Sequence, residues 1–478
     1  MIHTEMLING CFVGGVCDQA VGKQVVKAPF DGQVVGTAAE GNELDLGTAI
    51  DSAHEAFKSW RHSSRRDRQD LLRRIATLVR ERANELVDLL SREVGKPVSL
   101  SRGEVERLAL TFDDAADELS RFGLDSLPAD LDHRGKGYRL NVERFPIGVI
   151  LGIVPYNWPF NLAAHKLAPA IATGNTVVLK PSQQAPLSTL TLARLIHEAG
   201  CPAGVVNAVN VEAKFVLPQA KRAEVAMLSF TGSPAVGWML KRELAEKRVS
   251  LELGGDASAI VCEDADLNWA VPRLVAGGFG YAGQICISIQ HVRVHRSRYE
   301  EVKRELVRQT QTCKFGDPLD EVVVSGPLIS AAAADKVAEW IEEAMSGGGK
   351  RLVGGERQAN VIAPAVIENV PSSSKLARQE VFGPVITLSA YDRLEDAFAE
   401  VNRSEYGIHA GVFTHDLRIA ERAYRELEVG GVVVNDYPTL RFDNMPYGGV
   451  KRSGFGREGV RYAMEEMTEI KSLLVRTL

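Results

Sequence analysis

One cysteine lies where a helical pattern gives way to a strand, among residues suited to nucleophilic chemistry. Residues 279–288 read Phe-Gly-Tyr-Ala-Gly-Gln-Ile-Cys-Ile-Ser, so Cys286 falls between a predicted helix at Leu267–Phe279 and a predicted strand at Ile289–His295. At such a junction the loop N–H groups point into the same space as the thiol, where they lower a thiol pKa and stabilise an oxyanion. A free cysteine is also commonly a buried packing residue. The cysteine alone leaves both interpretations open.

Four polar residues in separate short motifs favour the catalytic interpretation. They are Asn157 in Pro-Tyr-Asn-Trp-Pro, Lys180 in Leu-Lys-Pro-Ser, Glu252 in Leu-Glu-Leu-Gly-Gly and Glu380 in Gln-Glu-Val-Phe-Gly-Pro. An oxyanion donor and a base are the partners that a nucleophilic thiol needs for acyl chemistry. Because these roles form a consistent set, we interpret Cys286 as a nucleophile.

These five motifs occur in the order and at about the spacing of the aldehyde dehydrogenase superfamily, which the chain resembles over nearly its whole length. Glu104-Val-Glu-Arg107 and the tract 440–449, Leu-Arg-Phe-Asp-Asn-Met-Pro-Tyr-Gly-Gly, resemble one branch of that family. The branch includes lactaldehyde, phosphonoacetaldehyde and non-phosphorylating glyceraldehyde-3-phosphate dehydrogenases. The resemblance implies NAD(P)-dependent oxidation of a small, hydroxylated or anionic aldehyde to its carboxylic acid.

Three residues receive catalytic roles. Cys286 is expected to add to the aldehyde carbon, and the thiohemiacetal oxyanion to accept N–H groups from the Asn157 side chain and the Cys286 backbone. After hydride transfer to nicotinamide, Glu252 is expected to activate the water that hydrolyses the thioester. Leu251 and Leu253 indicate a buried strand here, and burial raises a carboxyl pKa towards the range that a base needs.

The cofactor is predicted to bind beside a helix amino terminus that follows Phe230-Thr-Gly-Ser. Gly232 and Gly237 form GxxxxG, a weak signal by itself, but free N–H groups of such a helix can receive a pyrophosphate. By resemblance, Lys180 contacts the adenosine ribose and Glu380 the nicotinamide ribose. The predicted cofactor-binding residues are Pro155, Trp158, Lys180, Ser182, Gln183, Gly232, Ser233, Gly254, Glu380 and Phe382.

Two departures from the family pattern affect the cofactor. NAD-preferring members often carry Glu three residues after the lysine, where this chain has Gln183. Without that charge a 2′-phosphate is not repelled, so the predicted cofactor is NAD or NADP. The second departure is Val209-Asn-Val-Glu, where many relatives place glycines under the adenine, and it leaves the adenine contacts open.

Substrate residues are indicated by two arginines, Arg107 and Arg441. In the similar branch, an arginine on the helix of Arg107 can face the substrate tunnel. The alternative is a helix-surface arginine that pairs with Glu104 at i,i+3. Ile285 stands where phosphate-handling relatives often place arginine, which favours an uncharged or singly anionic substrate.

Composition narrows the class of protein and its partners. The net charge of −6 lacks the excess of basic residues that is typical of nucleic-acid-binding proteins. No apolar run approaches the length of about 20 residues that a membrane-spanning helix needs. We expect no secretory signal, because Met-Ile-His-Thr-Glu-Met lacks its charged and apolar regions. Six scattered cysteines (11, 17, 201, 262, 286, 313) without zinc-like spacing fit a reducing compartment. A cytoplasmic enzyme without a metal site is expected.

Strands and helices alternate along the two segments that must position these residues, as they do in α/β domains. At 147–208, and again from about Gly255, apolar strands alternate with helical patterns, which predicts parallel sheets covered on both faces. Ligands bind at the carboxyl ends of such strands, where Asn157, Lys180 and Gly232 fall. The predicted fold is α/β and aldehyde dehydrogenase-like, with two Rossmann-like parallel-sheet domains and a small projecting β oligomerisation element.

The 478 residues exceed the about 250–300 that one core supports, so several domains are expected. We predict a discontinuous dinucleotide-binding domain at 1–122 and 142–254, a catalytic domain at 255–460, and an oligomerisation element at 123–141 and 461–478. Tyr138–Arg144 alternates with period two, and the resemblance assigns its segment to subunit contacts in a homodimer or homotetramer. The β-prone run Ile470-Lys-Ser-Leu-Leu-Val in the tail could pair with a partner's edge.

Among local elements, Arg65–Val94 is predicted as one long helical stretch, Leu100–Phe122 as the next helix, and Val361–Ile367 as one strand.

Two other functions remain open at this point. One is an inactive relative kept as a structural or binding protein, and the other is a coenzyme-A-acylating dehydrogenase. The first is disfavoured because the five motif residues occur together. The second is disfavoured by Glu252, because relatives that form acyl-coenzyme A generally lack this acid.

Overall fold

A computed structural model of the chain describes residues 2–14 and 22–476, so Cys17 lies outside the described ranges. Within them the α-helices are α1 (Glu43–Trp60), α2 (Arg65–Glu81), α3 (Ala83–Val94), α4 (Val98–Glu118), α5 (Pro159–Thr173), α6 (Pro186–Glu198), α7 (Val216–Ala220), α8 (Pro234–Glu243), α9 (Leu267–Phe279), α10 (Tyr299–Thr312), α11 (Ala331–Ser346), α12 (Lys375–Arg378), α13 (Leu394–Asn402), α14 (Leu417–Glu426) and α15 (Val460–Glu466).

The β-strands of the same ranges fall into two groups along the chain. The first group is β1 (Ile2–Thr4), β2 (Met6–Ile8), β3 (Cys11–Val13), β4 (Gly22–Lys27), β5 (Val34–Glu40), β6 (Leu124–Leu127), β7 (Tyr138–Pro146), β8 (Val149–Ile153), β9 (Thr176–Lys180), β10 (Val206–Ala208), β11 (Val225–Thr231) and β12 (Arg248–Glu252). The second is β13 (Ser258–Val261), β14 (His291–His295), β15 (Lys350–Val353), β16 (Arg357–Gln358), β17 (Val361–Ile362), β18 (Ala365–Glu368), β19 (Val385–Tyr391), β20 (His409–Phe413), β21 (Gly431–Val434), β22 (Gly454–Phe455) and β23 (Thr468–Arg476).

The first large sheet has eight strands in the order β22-β12-β11-β8-β9-β10-β2-β3. Its five central strands, from β12 to β10, are parallel, and the flanking β22 and β2 pair antiparallel. Helix α5 is buried along its whole length, and most of its residues are apolar. Because the central strands run the same way, the residues that follow β8, β9, β11 and β12 meet at one edge.

The second large sheet has seven strands in the order β15-β18-β19-β14-β13-β20-β21. All its pairings are parallel except that of β15 with β18. Helices α9 and α10 contribute to one apolar cluster, whereas α11 packs in a second and α13 and α14 in a third. The predicted class, with two parallel sheets covered by helices, is therefore what the chain adopts.

A separate three-stranded sheet has the order β23-β7-β6. β7 pairs with β6 as a hairpin, in agreement with the projecting strand predicted around Tyr138–Arg144. The tail run at 470–475 does not need a partner chain, because β23 pairs along its full length with β7 of its own chain. Leu473 and Leu474 remain exposed on this sheet.

Three local predictions are corrected. The helical stretch at 65–94 is two helices, because Arg82 (φ −101°, ψ 13°) leaves the helical conformation between them. The strand predicted at Val361–Ile367 is two strands, because Ala363-Pro364 separates β17 from β18 and proline has no N–H for a ladder. The helix predicted at Leu100–Phe122 runs from Val98 to Glu118.

None of the helices in residues 2–14 and 22–476 is both long and apolar enough to cross a bilayer.

Candidate active site

A cavity of about 810 Å³ is lined by residues at or just after the ends of β8, β9, β11 and β12 and by loop residues from the second half of the chain. This is within the range of pockets that hold small molecules and cofactors. All fifteen predicted site residues line it: Arg107, Pro155, Asn157, Trp158, Lys180, Ser182, Gln183, Gly232, Ser233, Glu252, Gly254, Cys286, Glu380, Phe382 and Arg441. The sequence motifs, which are up to 334 positions apart, are thus brought to one place.

Cys286 is presented by a loop with left-handed backbone. After α9, Tyr281 and Ala282 have φ near +53° and +52°, and Gly283 has φ +68°. A Cβ on Gly283 would stand 2.2 Å from the Gly383 carbonyl oxygen, so glycine is required there. The buried Gln284 side chain anchors the loop by accepting the Ile329 N–H at 2.9 Å and donating to the Pro327 carbonyl at 3.1 Å.

Asn157 approaches the cysteine loop directly. It follows β8, is 6% exposed, and its Nδ2 donates to the Gln284 backbone carbonyl at 2.9 Å. A carboxamide NH₂ has two donors. The bond to Gln284 fixes the amide beside Cys286 and leaves the second N–H for a ligand.

The Cys286 thiol is hydrogen-bonded to a tyrosine that we had not identified as a site residue. Sγ lies 2.7 Å from the Tyr447 hydroxyl. Burial raises the pKa of the thiol to about 12, and the bond to Tyr447 acts against that rise. Tyr447 is held by the Arg441 guanidinium, 3.8 Å from its ring centroid, and by the edge-on ring of His409. The sequence signal that could have identified Tyr447 as a site residue is its position in the 440–449 tract.

We expect Tyr447→Phe to make Cys286 less reactive. A hydrogen bond to a charged group contributes about 1.5–3 kcal/mol, so its loss should raise the thiol pKa by about one to two units. Below that pKa, alkylation by iodoacetamide should slow by about ten- to a hundredfold at fixed pH. The pH dependence of alkylation measures this directly. Tyr462→Phe, away from the cavity, is the control, and an unshifted profile for Tyr447→Phe would contradict the assignment.

Glu252 ends β12 and has an uncompensated carboxylate. The residue is buried, and both carboxylate oxygens lack a hydrogen-bond partner among the described residues. Burial, followed by the nearby Glu458 carboxylate, raises its pKa well above the ordinary value. The burial predicted from Leu251 and Leu253 is confirmed. Such a group is able to take a proton from water.

A buried charged network beyond Glu252 was missed by sequence reasoning. Lys166 Nζ donates to Thr231 at 2.8 Å, to Ser229 at 3.0 Å and to Glu458 at 3.2 Å. The other oxygen of Glu458 is 3.5 Å from Arg441 Nη2. Lys166 and Glu458 are 292 positions apart, and neither stands in a motif that suggested the pair.

Glu380 reaches the backbone at the end of the Glu252 motif. Its Oε1 accepts the Gly255 N–H at 2.9 Å, and burial raises its pKa to about 7. A Cβ on Gly254 would stand 2.2 Å from Glu380 Oε2. In this structure the glycine therefore makes room for the Glu380 carboxylate.

The surroundings of Lys180 and Ser233 fit a dinucleotide. Lys180 ends β9, its Nζ donates to the Pro181 carbonyl at 2.8 Å, and burial lowers its pKa to about 8. Ser233 precedes α8 and makes no side-chain cap with it in the described structure, so first-turn N–H groups remain for an anion. A Cβ on Gly237 would stand 2.4 Å from Leu253, so this glycine lets α8 pack closely.

The adenine-side loop that departs from the family pattern is anchored by Asn210. Its Nδ2 donates to the Ala39 carbonyl at 3.0 Å and to Gln24 Oε1 at 3.1 Å. Gln24 also donates to the Gln183 backbone carbonyl, while Gln183 itself is exposed at the cavity.

The two arginines differ in how they are paired. Arg107 Nη2 and Nε donate to the two Asp443 oxygens, at 2.6 and 3.1 Å. The alternative pairing with Glu104 is wrong, because Glu104 forms a buried ion pair with Lys96. Arg441 is buried over Tyr447, and its Nε has no hydrogen-bond partner in the described residues.

The chain is similar to known proteins along almost its full length. Residues 17–473 match the Aldehyde dehydrogenase family. The chain is 38% identical to a 3-sulfolactaldehyde dehydrogenase of Priestia aryabhattai over 473 residues, covering 99% of each chain. It superposes with TM-score 0.96 on aldehyde dehydrogenase 21 from Physcomitrella patens, solved with its product succinate, at 38% identity and covering 100% and 98% of the chains.

A second solved structure carries a cofactor. The glyceraldehyde-3-phosphate dehydrogenase GapN of Methanocaldococcus jannaschii, complexed with NADP, is 38% identical with TM-score 0.91, covering 95% of this chain and 99% of that one. The predicted fold class is confirmed by these superpositions. On the match to its family profile and to relatives along almost its full length, the chain belongs to the aldehyde dehydrogenase family.

Proposed function

We propose that the protein oxidises a small polar aldehyde, hydroxylated or carrying one negative charge, to its carboxylic acid with NAD or NADP. The observation that carries this proposal is the convergence of Cys286, Asn157 and Glu252 on one cavity. A thiol, an amide donor and an unpaired buried carboxylate are the groups that this reaction needs.

The first step is addition of the Cys286 thiolate to the aldehyde carbon. The Tyr447 hydroxyl is in place to donate to the thiolate before attack. As the carbonyl oxygen gains charge, it accepts the N–H of Asn157 that is not bonded to Gln284. The product of the step is a thiohemiacetal on Cys286.

The cofactor is expected at the Lys180, Ser233 and Glu380 side of the cavity. Lys180 and Glu380 would hold the two riboses, and the first turn of α8 the pyrophosphate. When bound, the oxidised nicotinamide would supply the hydride acceptor that oxidation of the thiohemiacetal to a thioester requires.

Hydrolysis of the thioester is assigned to Glu252. Its two unpartnered oxygens can accept a hydrogen bond from water, and its raised pKa favours taking up the proton. This role disfavours acyl transfer to coenzyme A. The simultaneous presence of all three groups also disfavours an inactive, purely structural relative.

The substrate class is supported by the two arginines that line the cavity. Asp443 balances the charge of Arg107, and Glu458 lies near Arg441, so a doubly charged phosphate would meet little net positive charge. The partnerless Nε of Arg441 still requires an oxygen acceptor. A relative named for sulfolactaldehyde and another solved with succinate agree with a small polar substrate.

A panel of short aldehydes tested with both cofactors examines this proposal. Lactaldehyde, succinic semialdehyde, glyceraldehyde-3-phosphate and propanal would be compared by kcat/KM, from the absorbance of reduced nicotinamide. We expect a hydroxylated or singly anionic aldehyde to rank first. A preference for propanal over every polar aldehyde would contradict the substrate class, and the absence of turnover with all would contradict the activity.

Cofactor choice is expected to depend on Gln183. A carboxylate at this position would hold a ribose diol by charge-assisted hydrogen bonds and repel a 2′-phosphate. The wild type should therefore use NADP measurably, and Gln183→Glu should shift the ratio of kcat/KM values towards NAD by about tenfold. Gln358→Glu, at an exposed position that does not line the cavity, is the control. No NADP use by the wild type, with an unchanged ratio in the variant, would defeat this expectation.

We also propose the predicted domain boundaries, and a homodimer or homotetramer in which the β23-β7-β6 sheet takes part. The exposed Leu124, Leu473 and Leu474 of that sheet support the assembly. We propose a cytoplasmic location because five cysteines are not in disulfides, as is usual in a reducing compartment: Cys11, Cys201, Cys262, Cys286 and Cys313.

A further inference from the structure

Two buried glutamates of the outer helices bind the first turns of two other helices. Glu104 of α4 accepts the N–H groups of Phe160 and Asn161, at 2.9 and 3.1 Å, at the start of α5. Glu93 of α3 accepts the N–H groups of Leu187 and Ser188, at 2.6 and 2.9 Å, at the start of α6. The same arrangement therefore occurs twice.

These bonds replace local helix caps. First-turn N–H groups have no partner within their own helix, and a Ser, Thr, Asp or Asn at the N-cap usually accepts one. Here the N-cap residues are Trp158 and Ala185, which make no side-chain cap in the described structure. The acceptors come instead from 56 and 94 positions earlier in the chain.

Each capped helix begins directly after a loop that lines the cavity. The loop before α5 carries Asn157, three residues before Phe160, and the loop before α6 carries Ser182 and Gln183. The point at which each loop joins its helix is thus fixed by one buried carboxylate. One loop serves the chemical step, and the other faces the predicted ribose site.

Lys96 extends the anchorage at the first loop. Its ammonium pairs with Glu104, lies 3.6 Å from the Trp158 ring centroid and 4.8 Å from that of Tyr281. Trp158 is adjacent to Asn157, and Tyr281 begins the left-handed turn before Cys286. The Lys96–Glu104 pair therefore touches both loops that carry the proposed reacting groups.

We propose that Glu104 and Glu93 are positioning residues with separate tasks, Glu104 for the Asn157 amide and Glu93 for the cofactor loop at Ser182 and Gln183. The inference rests on the proposed function. Loss of the Glu104 contacts slows the first chemical step without weakening cofactor binding. Loss of the Glu93 contacts weakens cofactor binding without slowing that step at saturating cofactor.

The matched variants are Glu104→Asp and Glu93→Asp, which keep the charge and withdraw the carboxylate by one methylene. Two quantities are measured for each: the burst rate of reduced cofactor at saturating cofactor, and the Kd of NADH and NADPH by fluorescence. Since small misplacements of reacting groups are costly, Glu104→Asp should slow the burst by about ten- to a hundredfold and change Kd less than about twofold. Glu93→Asp should raise Kd by about tenfold and change the burst rate less than about twofold.

Thermal unfolding checks that each variant is folded. If Glu104→Asp does not fold, Lys96→Met/Glu104→Gln removes both buried charges together and takes its place, because an unpaired buried charge is the costly state. Equal changes of both quantities in both variants would mean that the glutamates only stabilise the fold, and no change in either would also overturn the inference. A wild type that binds NADH or NADPH but forms no reduced cofactor with any aldehyde defeats the proposed function instead.

Discussion

Glu252→Gln is expected to give up to one equivalent of reduced cofactor per active site and then to stop at the thioester. The amide is close in size to the carboxylate but cannot take a proton from water, so only the second half of the reaction is lost. Steady turnover should fall by about 10²–10⁴-fold, the usual contribution of a general base. Rapid mixing with cofactor and aldehyde, followed by absorbance, separates the burst from the steady rate.

The burial of Glu252 adds a pH test to this experiment. Its pKa lies well above the ordinary value, so the proton stays bound at pH values where an exposed glutamate has lost it. The basic form increases as pH rises, and wild-type deacylation should rise with it. The Glu252→Gln residual rate should lack that dependence. Cys286→Ala should abolish the burst itself, whereas full steady turnover by Glu252→Gln would rule out the base assignment.

The second large effect is expected for Arg107→Leu. Arg107 lines the cavity with two of its nitrogens bonded to Asp443, which leaves Nη1 to meet a substrate oxygen. A charge-assisted contact contributes about 1.5–3 kcal/mol, so KM for a polar or anionic aldehyde should rise by about ten- to a hundredfold. Propanal has no second polar group and should be nearly unaffected. Steady-state kinetics with the two substrates measures the difference.

The control is Arg102→Leu on the same helix. Arg102 pairs with Glu321 at the surface and does not line the cavity, so both substrates should keep their kinetics. If Arg107→Leu reduces kcat/KM equally for propanal and for the polar aldehyde, Arg107 serves only to balance Asp443, and the substrate assignment is wrong.

What the sequence predicted well was local. The helix Leu267–Phe279 has the predicted bounds, because apolar periodicity marks its length and Gly280 follows its end. The motifs of Asn157, Lys180 and Glu252 were found because each lies at or just after the carboxyl end of a parallel strand, and such strands bring these ends together. Cys286 and Glu380 lie in loops instead and were found from their motifs alone.

The contacts that the sequence did not reveal join residues that are far apart along the chain. The sequence offered Glu104, three positions away, as a possible partner of Arg107, whereas the actual partner, Asp443, is 336 positions away. Tyr447 stands in a motif, but only the folded chain brings its hydroxyl to Cys286, 161 positions earlier. The break at Arg82 has no glycine or proline to announce it, so helical periodicity continues across it.

The eight-stranded sheet also constrains how the chain can fold. Its strands come from as early as Met6 and as late as Phe455, whereas the seven-stranded sheet uses only residues 258–434. Strands β8 to β11 and β12 can pair as soon as residue 252 has been made, but β22, which covers the outer edge of β12, is synthesised about 200 residues later. An uncovered edge invites pairing with other chains, and pairings so distant in sequence form slowly. The strand that ends in Glu252 therefore stays an open edge while about 200 further residues are made, and we expect newly made chains to be most prone to aggregation in that interval.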